Sequence, residues 1–91
     1  MTIRVQPTPN PNAHKFILPS QRFARSFNFA SADAATAHPL AERLFALPGV
    51  YNVLLAQDFV TVNKLPAAEW STLEGNIQQV IAEWEAGASG E

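Results

Sequence analysis

The sequence predicts an α+β domain: a two-layer sandwich with two helices on one face of an antiparallel sheet, in the order β-β-β-α-β-β-α. Three observations carry this expectation. Residues 70–84 place Trp70, Leu73, Ile77, Val80, Ile81 and Trp84 on one side, within an arc of about 100° on a 3.6-residue wheel, the spacing of a helix lying on a core. Residues 50–56 and 59–64 are β-branched and aromatic runs flanking Gln57 and Asp58, the pattern of an antiparallel hairpin. Shorter strand-like runs precede the first helical stripe, and single-faced helices combined with such strands pack as two layers.

Residues 2–6 alternate, with Ile3 and Val5 on one face, and Pro7 stops the strand. Pro7, Pro9 and Pro11 then exclude helix and central strand, because the residue before each proline is driven to extended geometry. Residues 13–18 form a second strand, with His14, Phe16 and Leu18 on one face and Ala13, Lys15 and Ile17 on the other. Pro19, Ser20 and Gln21 make a turn, and residues 22–29 a third strand whose Phe23, Phe27 and Phe29 share a face. Residues 31–37 are small and polar, a connection that starts to coil. Pro39 suits the first turn of a helix. Leu40, Leu44, Phe45 and Leu47 give that helix its stripe, and Pro48-Gly49 ends it. In the last helix, Ser71, Gly75, Gln78 and Ala82 are expected to face away from the core.

Ninety-one residues are expected to make one domain over residues 1–86, with residues 87–91 a flexible tail. A chain of this size buries enough surface to fold without a metal or disulfide. No apolar run approaches the ~20 residues that span a bilayer, and the opening MTIRVQP has no apolar signal core. The expectation is a soluble, cytoplasmic protein without a membrane partner. The chain contains no cysteine. Disulfides, thiolate nucleophiles and all-cysteine zinc or iron–sulfur sites are therefore excluded from its own residues.

The net charge of −2 is unevenly spread. Up to Phe45 five cations (Arg4, Lys15, Arg22, Arg25, Arg43) face two carboxylates, Asp33 and Glu42. Beyond it Lys64 stands against Asp58, Glu69, Glu74, Glu83, Glu85 and Glu91. Such asymmetry suits orientation of a protein partner. Nucleic acid is disfavoured, because no basic stripe is clustered.

Catalytic patterns are missing from the sequence. No serine sits in a Gly-x-Ser-x-Gly elbow, and no glycine-rich loop precedes a helix to cradle phosphate. His14 and His38 lack helical spacing with a second ligand; they read as a residue at the rim of the Phe16 face and a cap of the first helix. The acidic residues of the last helix, Glu69, Glu74, Glu83 and Glu85, read as a solvated face.

The stretch Thr8-Pro9-Asn10-Pro11-Asn12-Ala13, followed by Lys15-Phe16-Ile17-Leu18, resembles the opening motif of the N-terminal domain of NifU-like (Nfu) iron–sulfur scaffold proteins. Later blocks agree in order. Pro39-Leu40-Ala41 with Leu44-Phe45 is similar to that family's first helix, and Gly49-Val50 with Val53 to the strand after it. Asp58-Phe59-Val60-Thr61-Val62 with Lys64 is similar to its hairpin, and Trp70, Leu73 and Ile77 to its closing helix. In two-domain members a separate C-terminal domain carries the Cys-x-x-Cys cluster ligands. No residue of this chain matches those ligands, so the resemblance implies an accessory domain without a cofactor of its own. Two departures stand out: His14 replaces a more usual apolar residue, and His38 precedes Pro39 where serine is the better cap.

The expected function is a non-enzymatic interaction module in iron–sulfur cluster assembly or delivery, with cluster-scaffold or cluster-accepting proteins as partners. The candidate partner-binding residues are Thr8, Asn10, Asn12, His14, Lys15 and Lys64. Residues 8–12 would form a docking loop, pre-ordered by proline, with Lys15 or Lys64 pairing to a partner carboxylate. The competing reading makes Asn10 and Asn12 a brace of Asx-turns. Two other functions stay open: an iron-binding protein using His14 and carboxylates, and a small RNA-binding module around Arg22 and Arg25.

Overall fold

A computed structural model describes residues 3–19 and 21–89, without the side chains of residues 88 and 89. Thr2, the turn residue Ser20, and Gly90 and Glu91 of the expected tail lie outside the described residues.

Five strands form one sheet: β1 (Arg4–Pro7), β2 (Ala13–Ile17), β3 (Phe23–Phe29), β4 (Val50–Gln57) and β5 (Phe59–Lys64). Their spatial order is β1-β2-β5-β4-β3, and every neighbouring pair is antiparallel. Helices α1 (Ala32–Ala35) and α2 (Pro39–Phe45) connect β3 to β4, and α3 (Trp70–Ser89) closes the chain. The α+β sandwich and its element order match the expectation, with the coiling connection resolved into α1. Ser31 caps that short helix by accepting from the Ala34 N–H at 3.2 Å.

The register aligns two core rows across the sheet. Val5, Phe16, Val60, Leu55 and Phe27 lie opposite one another in turn, as do Pro7, His14, Val62, Val53 and Phe29. Period-two alternation puts both rows on one face. There Phe16, Val53, Leu55, Val60 and Val62 pack in a single buried cluster with Leu40 and Leu44 of α2 and Leu73, Ile77 and Ile81 of α3. Gln6, Lys15, Thr61, Leu54 and Asn28 form a row of the opposite parity. The β4–β5 reversal is tight: Ala56 pairs with Phe59, and Gln57 takes a φ of 49°.

Three details depart from the sequence reading. Helix α3 continues through the first tail residues to Ser89. Gln78, expected to face away, is half-buried and donates to the Ile3 carbonyl at 2.9 Å. Ala82 also packs against the core. The cause of the last two is common: the start of the chain and α2 both reach α3, so its buried arc is wider than its large apolar residues define.

Candidate interaction site around the proline-asparagine loop

The loop between β1 and β2 is held by its own polar atoms. Thr8 Oγ1 lies 2.9 Å from the carbonyl oxygens of both Asn10 and Ala13 and accepts from the Asn10 N–H at 3.2 Å. The Asn12 N–H donates to Asn10 Oδ1 at 2.9 Å, which is the Asx-turn arrangement. The Ala13 N–H donates to the Asn10 carbonyl at 3.0 Å, closing the turn. The alternating prolines have no N–H to satisfy, so these few bonds serve the backbone N–H groups of Asn10, Asn12 and Ala13.

Lys64, at the end of β5, ties this loop to the rest of the molecule. Its N–H donates to the Asn12 carbonyl at 2.8 Å, and its ammonium to Asn12 Oδ1 at 2.9 Å. The same ammonium lies 3.4 and 3.5 Å from the carbonyls of Leu65 and Pro66, and 5.9 Å from the centre of the Trp70 ring. Lys64 is only 7% exposed, and no carboxylate pairs with it among the described residues. Neutral oxygens and an aromatic face therefore receive this cation, an arrangement in which each partner matters.

Trp70 completes the contact from α3. Its indole N–H donates to the Pro11 carbonyl at 2.9 Å. The His14 ring stacks on it at 3.9 Å with planes 5° apart, and His14 Nδ1 lies 2.9 Å from Glu74 Oε2. Thr8, Asn10, Asn12, His14 and Lys64 thus belong to one cluster, while Lys15 does not. Lys15 projects from the other sheet face, with Nζ 4.2 Å from the centre of the Phe59 ring. Pro9, Asn10 and Pro11 form the exposed crest; Thr8 and Asn12 are half-buried. Trp70 and Glu74 were missed as members of the cluster. The available signal was their four-residue spacing, which puts both on one side of a helix.

Two other polar groups proved structural. Glu85, expected on a solvated face, is fully buried. Arg22 Nε reaches its two oxygens at 2.9 and 2.8 Å, and Nη2 reaches Oε1 at 2.7 Å. The Glu85 hydrogen bond raises the Arg22 pKa, opposed by burial. Beside this pair Phe23 stacks on Trp84 at 5.6 Å. Arg25, the second arginine of the RNA reading, lies 5.3 Å from the centre of the Phe27 ring. His38 does cap α2: its Nδ1 accepts from the Leu40 N–H at 3.2 Å. Its ring also packs among Phe23, Phe27, Phe29 and Trp84, at 5.9 to 6.4 Å between centres. Burial lowers the His38 pKa below its ordinary value. Among the described residues no three metal-ligating side chains gather, and no helix is long and apolar enough to cross a membrane.

Two stability measurements check these assignments. Arg22→Met leaves a buried carboxylate unpaired, so it should lower the melting temperature more than Arg22→Met with Glu85→Leu, in which both charges are gone. Equal losses would mean that the pair is not coupled. For His38, the unfolded imidazole binds protons at its ordinary pKa of 6.5 and the folded one binds them less well. Its contribution is complete above about pH 6.5 and is lost as pH falls from there through the folded-state pKa. Between about pH 7 and about pH 5 the wild type should therefore lose more stability than His38→Asn, which keeps a capping oxygen. Parallel losses would contradict the assignment.

Comparison with known proteins follows this geometry closely. The model of the family described as "Scaffold protein Nfu/NifU N terminal" matches residues 3–87. The chain is 36% identical over 86 residues to the NFU1 iron-sulfur cluster scaffold homolog, mitochondrial, of Drosophila persimilis, and likewise to that of Drosophila willistoni. Each match covers 92% of this chain and 30% of the relative, so the chain spans about a third of their length. The fold is similar to the solution structure of a NifU-like protein from Saccharomyces cerevisiae, with a TM-score of 0.81 and 26% identity over 93% of this chain and 78% of that one. It is also similar to protein SAV1430 of Staphylococcus aureus, with a TM-score of 0.76 and 25% identity over 89% of this chain and 99% of that one. A match that takes in all five strands and most of α3 settles the family: this chain belongs to the Nfu/NifU scaffold N-terminal domains.

Proposed function

We propose that this domain is a non-enzymatic interaction module that brings proteins of iron–sulfur cluster assembly or delivery together. The observation that carries the proposal is the anchored loop. Thr8, Asn12, Lys64 and Trp70 fix it from below, leaving Pro9, Asn10 and Pro11 exposed at its crest. A crest ordered before binding loses less conformational entropy on contact. Family membership supplies the process, and the cluster-scaffold name of the Drosophila relatives supports it.

Within this proposal the candidate residues divide their work. Asn10 and the two crest prolines meet the partner, and Lys15 offers a charge from the other sheet face. Thr8, Asn12, His14 and Lys64 keep the crest in shape. The chain has no cysteine, so thiolate ligands for a cluster come from another polypeptide segment or protein. The working compartment belongs to the proposal too. The sequence reading placed the protein in the cytoplasm, whereas the Drosophila relatives are named as mitochondrial.

Affinity capture from the protein's own cell lysate tests this function. Wild-type bait should retain cluster-scaffold or cluster-accepting proteins. Lys15→Glu should retain fewer at unchanged melting temperature. The pair Asn10→Ala and Asn12→Ala should reduce both capture and stability. Unchanged capture by the asparagine pair with lowered stability would leave the loop a brace alone. Consistent absence of such proteins from the wild-type capture would overturn the function.

A further inference from the structure

We propose that the face of the sheet turned away from the helices docks an amphipathic helix of a partner protein, one that presents aspartate or glutamate beside a row of apolar side chains. This docking surface deepens the reading of the domain as an interaction module and rests on it.

All three helices send residues into the core cluster with the inward rows of the sheet. The rows of opposite parity therefore have no layer over them among the described residues. Two of these rows lie side by side. One runs Arg4, Ile17, Phe59 and Ala56, the other Gln6, Lys15, Thr61 and Leu54. Ile17, Leu54 and Phe59 are half-buried, yet none joins the core cluster or packs against it. Single apolar side chains on a surface are ordinary. Here Ile17, Phe59 and Ala56 are direct cross-strand neighbours, with Leu54 on the diagonal, so they form one continuous strip.

Charge separates by layer. No strand contains an aspartate or glutamate, whereas Arg4, Lys15, Arg25 and Lys64 all lie in strands. Lys64 is turned into the loop and Arg25 lies over Phe27, which leaves Arg4 and Lys15 to the open rows. Arg4 is exposed, and the Lys15 ammonium rests against the Phe59 ring. Neither forms an ion pair among the described residues. The carboxylates of α3 are engaged elsewhere: Glu74 with His14, Glu83 with Arg43 and Glu85 with Arg22. Asp58, in the β4–β5 reversal, is the carboxylate nearest in sequence to these rows and pairs with neither cation. The field over this face is therefore positive and favours an anionic partner. Arg4 and Lys15 are diagonal neighbours on β1 and β2, about 7–8 Å apart at the backbone, a spacing that carboxylates one turn apart on a helix can meet. The strands beneath already bond one another, so an extended segment laid across them would bury backbone groups without partners. A helix satisfies its own. Single-stranded nucleic acid fits less well, because Phe59 already carries the Lys15 ammonium and two cations make no phosphate track.

The test uses isotope-labelled protein and a blocked, stapled helical peptide of about four turns, with leucine at a and d and glutamate at e and g of each heptad. One twin replaces glutamate by lysine, a second replaces leucine by serine, and a third is unstapled with a central proline. The parent peptide should shift the amide signals of Lys15, Ile17, Phe59 and Thr61 saturably and leave those of Leu44 and Ile77 in place. Each twin should bind about tenfold more weakly, for want of charge complementarity, apolar contact or helix. Arg4→Gln and Lys15→Gln should each weaken the parent about threefold, the scale of an exposed ion pair. Thr61→Glu places a carboxylate opposite Lys15 and should abolish binding at an unchanged melting temperature. Scattered shifts, equal binding of parent and twins, binding that survives Thr61→Glu, or no shift at all would each overturn the proposal. Unchanged binding by both glutamine variants would overturn it whether or not Thr61→Glu folds. An oligouridine that binds as tightly as the parent would replace the partner helix by nucleic acid, and the same shifts on concentrating the protein alone would replace it by a second copy; either overturns the proposal. Peptide binding without lysate capture of assembly proteins would overturn the iron–sulfur function and keep the docking face. Capture that survives Thr61→Glu, without peptide binding, would do the opposite.

Discussion

Lys64 is a buried cation whose observed partners are neutral. Its ammonium meets Asn12 Oδ1 at 2.9 Å, approaches two carbonyls of the β5–α3 connection, and lies near the face of Trp70. A charge removed from water in this way is tolerated only when oxygens and a ring replace its hydration. Its geometry therefore constrains three separate pieces of chain at once. The loop before β2 must bring Asn12 to it, the segment after β5 must turn two carbonyls towards it, and α3 must begin with its indole alongside. The indole then reaches back to Pro11, which closes the circuit. The exposed crest of Pro9, Asn10 and Pro11 borders this one arrangement.

The remaining charged and polar anchors act at the other end of the domain. Glu85, carried by α3, is buried against Arg22 at the start of the third strand region. Trp84 stacks on Phe23 and neighbours His38, which in turn caps α2. α3 is thus pinned near its start by Trp70 and Glu74 and near its end by Trp84 and Glu85. Between them Leu73, Ile77 and Ile81 supply the apolar burial. Burial provides most of the stability in such a domain, whereas the polar pins set where along the sheet the helix lies. This division explains how a small apolar core supports a surface with a defined shape.

Much of the fold was legible because periodicity is a local signal. Trp70, Leu73, Ile77, Ile81 and Trp84 announced α3, and the hairpin runs announced β4 and β5. The alternation that separated Phe16 from Lys15 correctly put them on opposite faces. The site was legible only in part. Thr8, Asn10 and Asn12 stood out as an unusual motif, yet Asn12 and Lys64 are 52 residues apart in sequence. No spacing rule links them. Glu85 was misread for the same reason, because Arg22 lies 63 residues away. On a helical wheel its carboxylate cannot be told from the exposed ones.

The direct test of this account is a double-mutant cycle between Asn12 and Lys64, read by chemical denaturation, with Asn12→Ala, Lys64→Met and the pair. A buried charge-assisted hydrogen bond should give a coupling energy of about 1–3 kcal/mol. The spectrum of the Asn12→Ala protein should also show shifted signals in the loop, at Leu65 and at Trp70 together. Additive losses, with perturbation confined to the loop, would contradict the claim that one lysine holds the loop, the connection and the start of α3 in register.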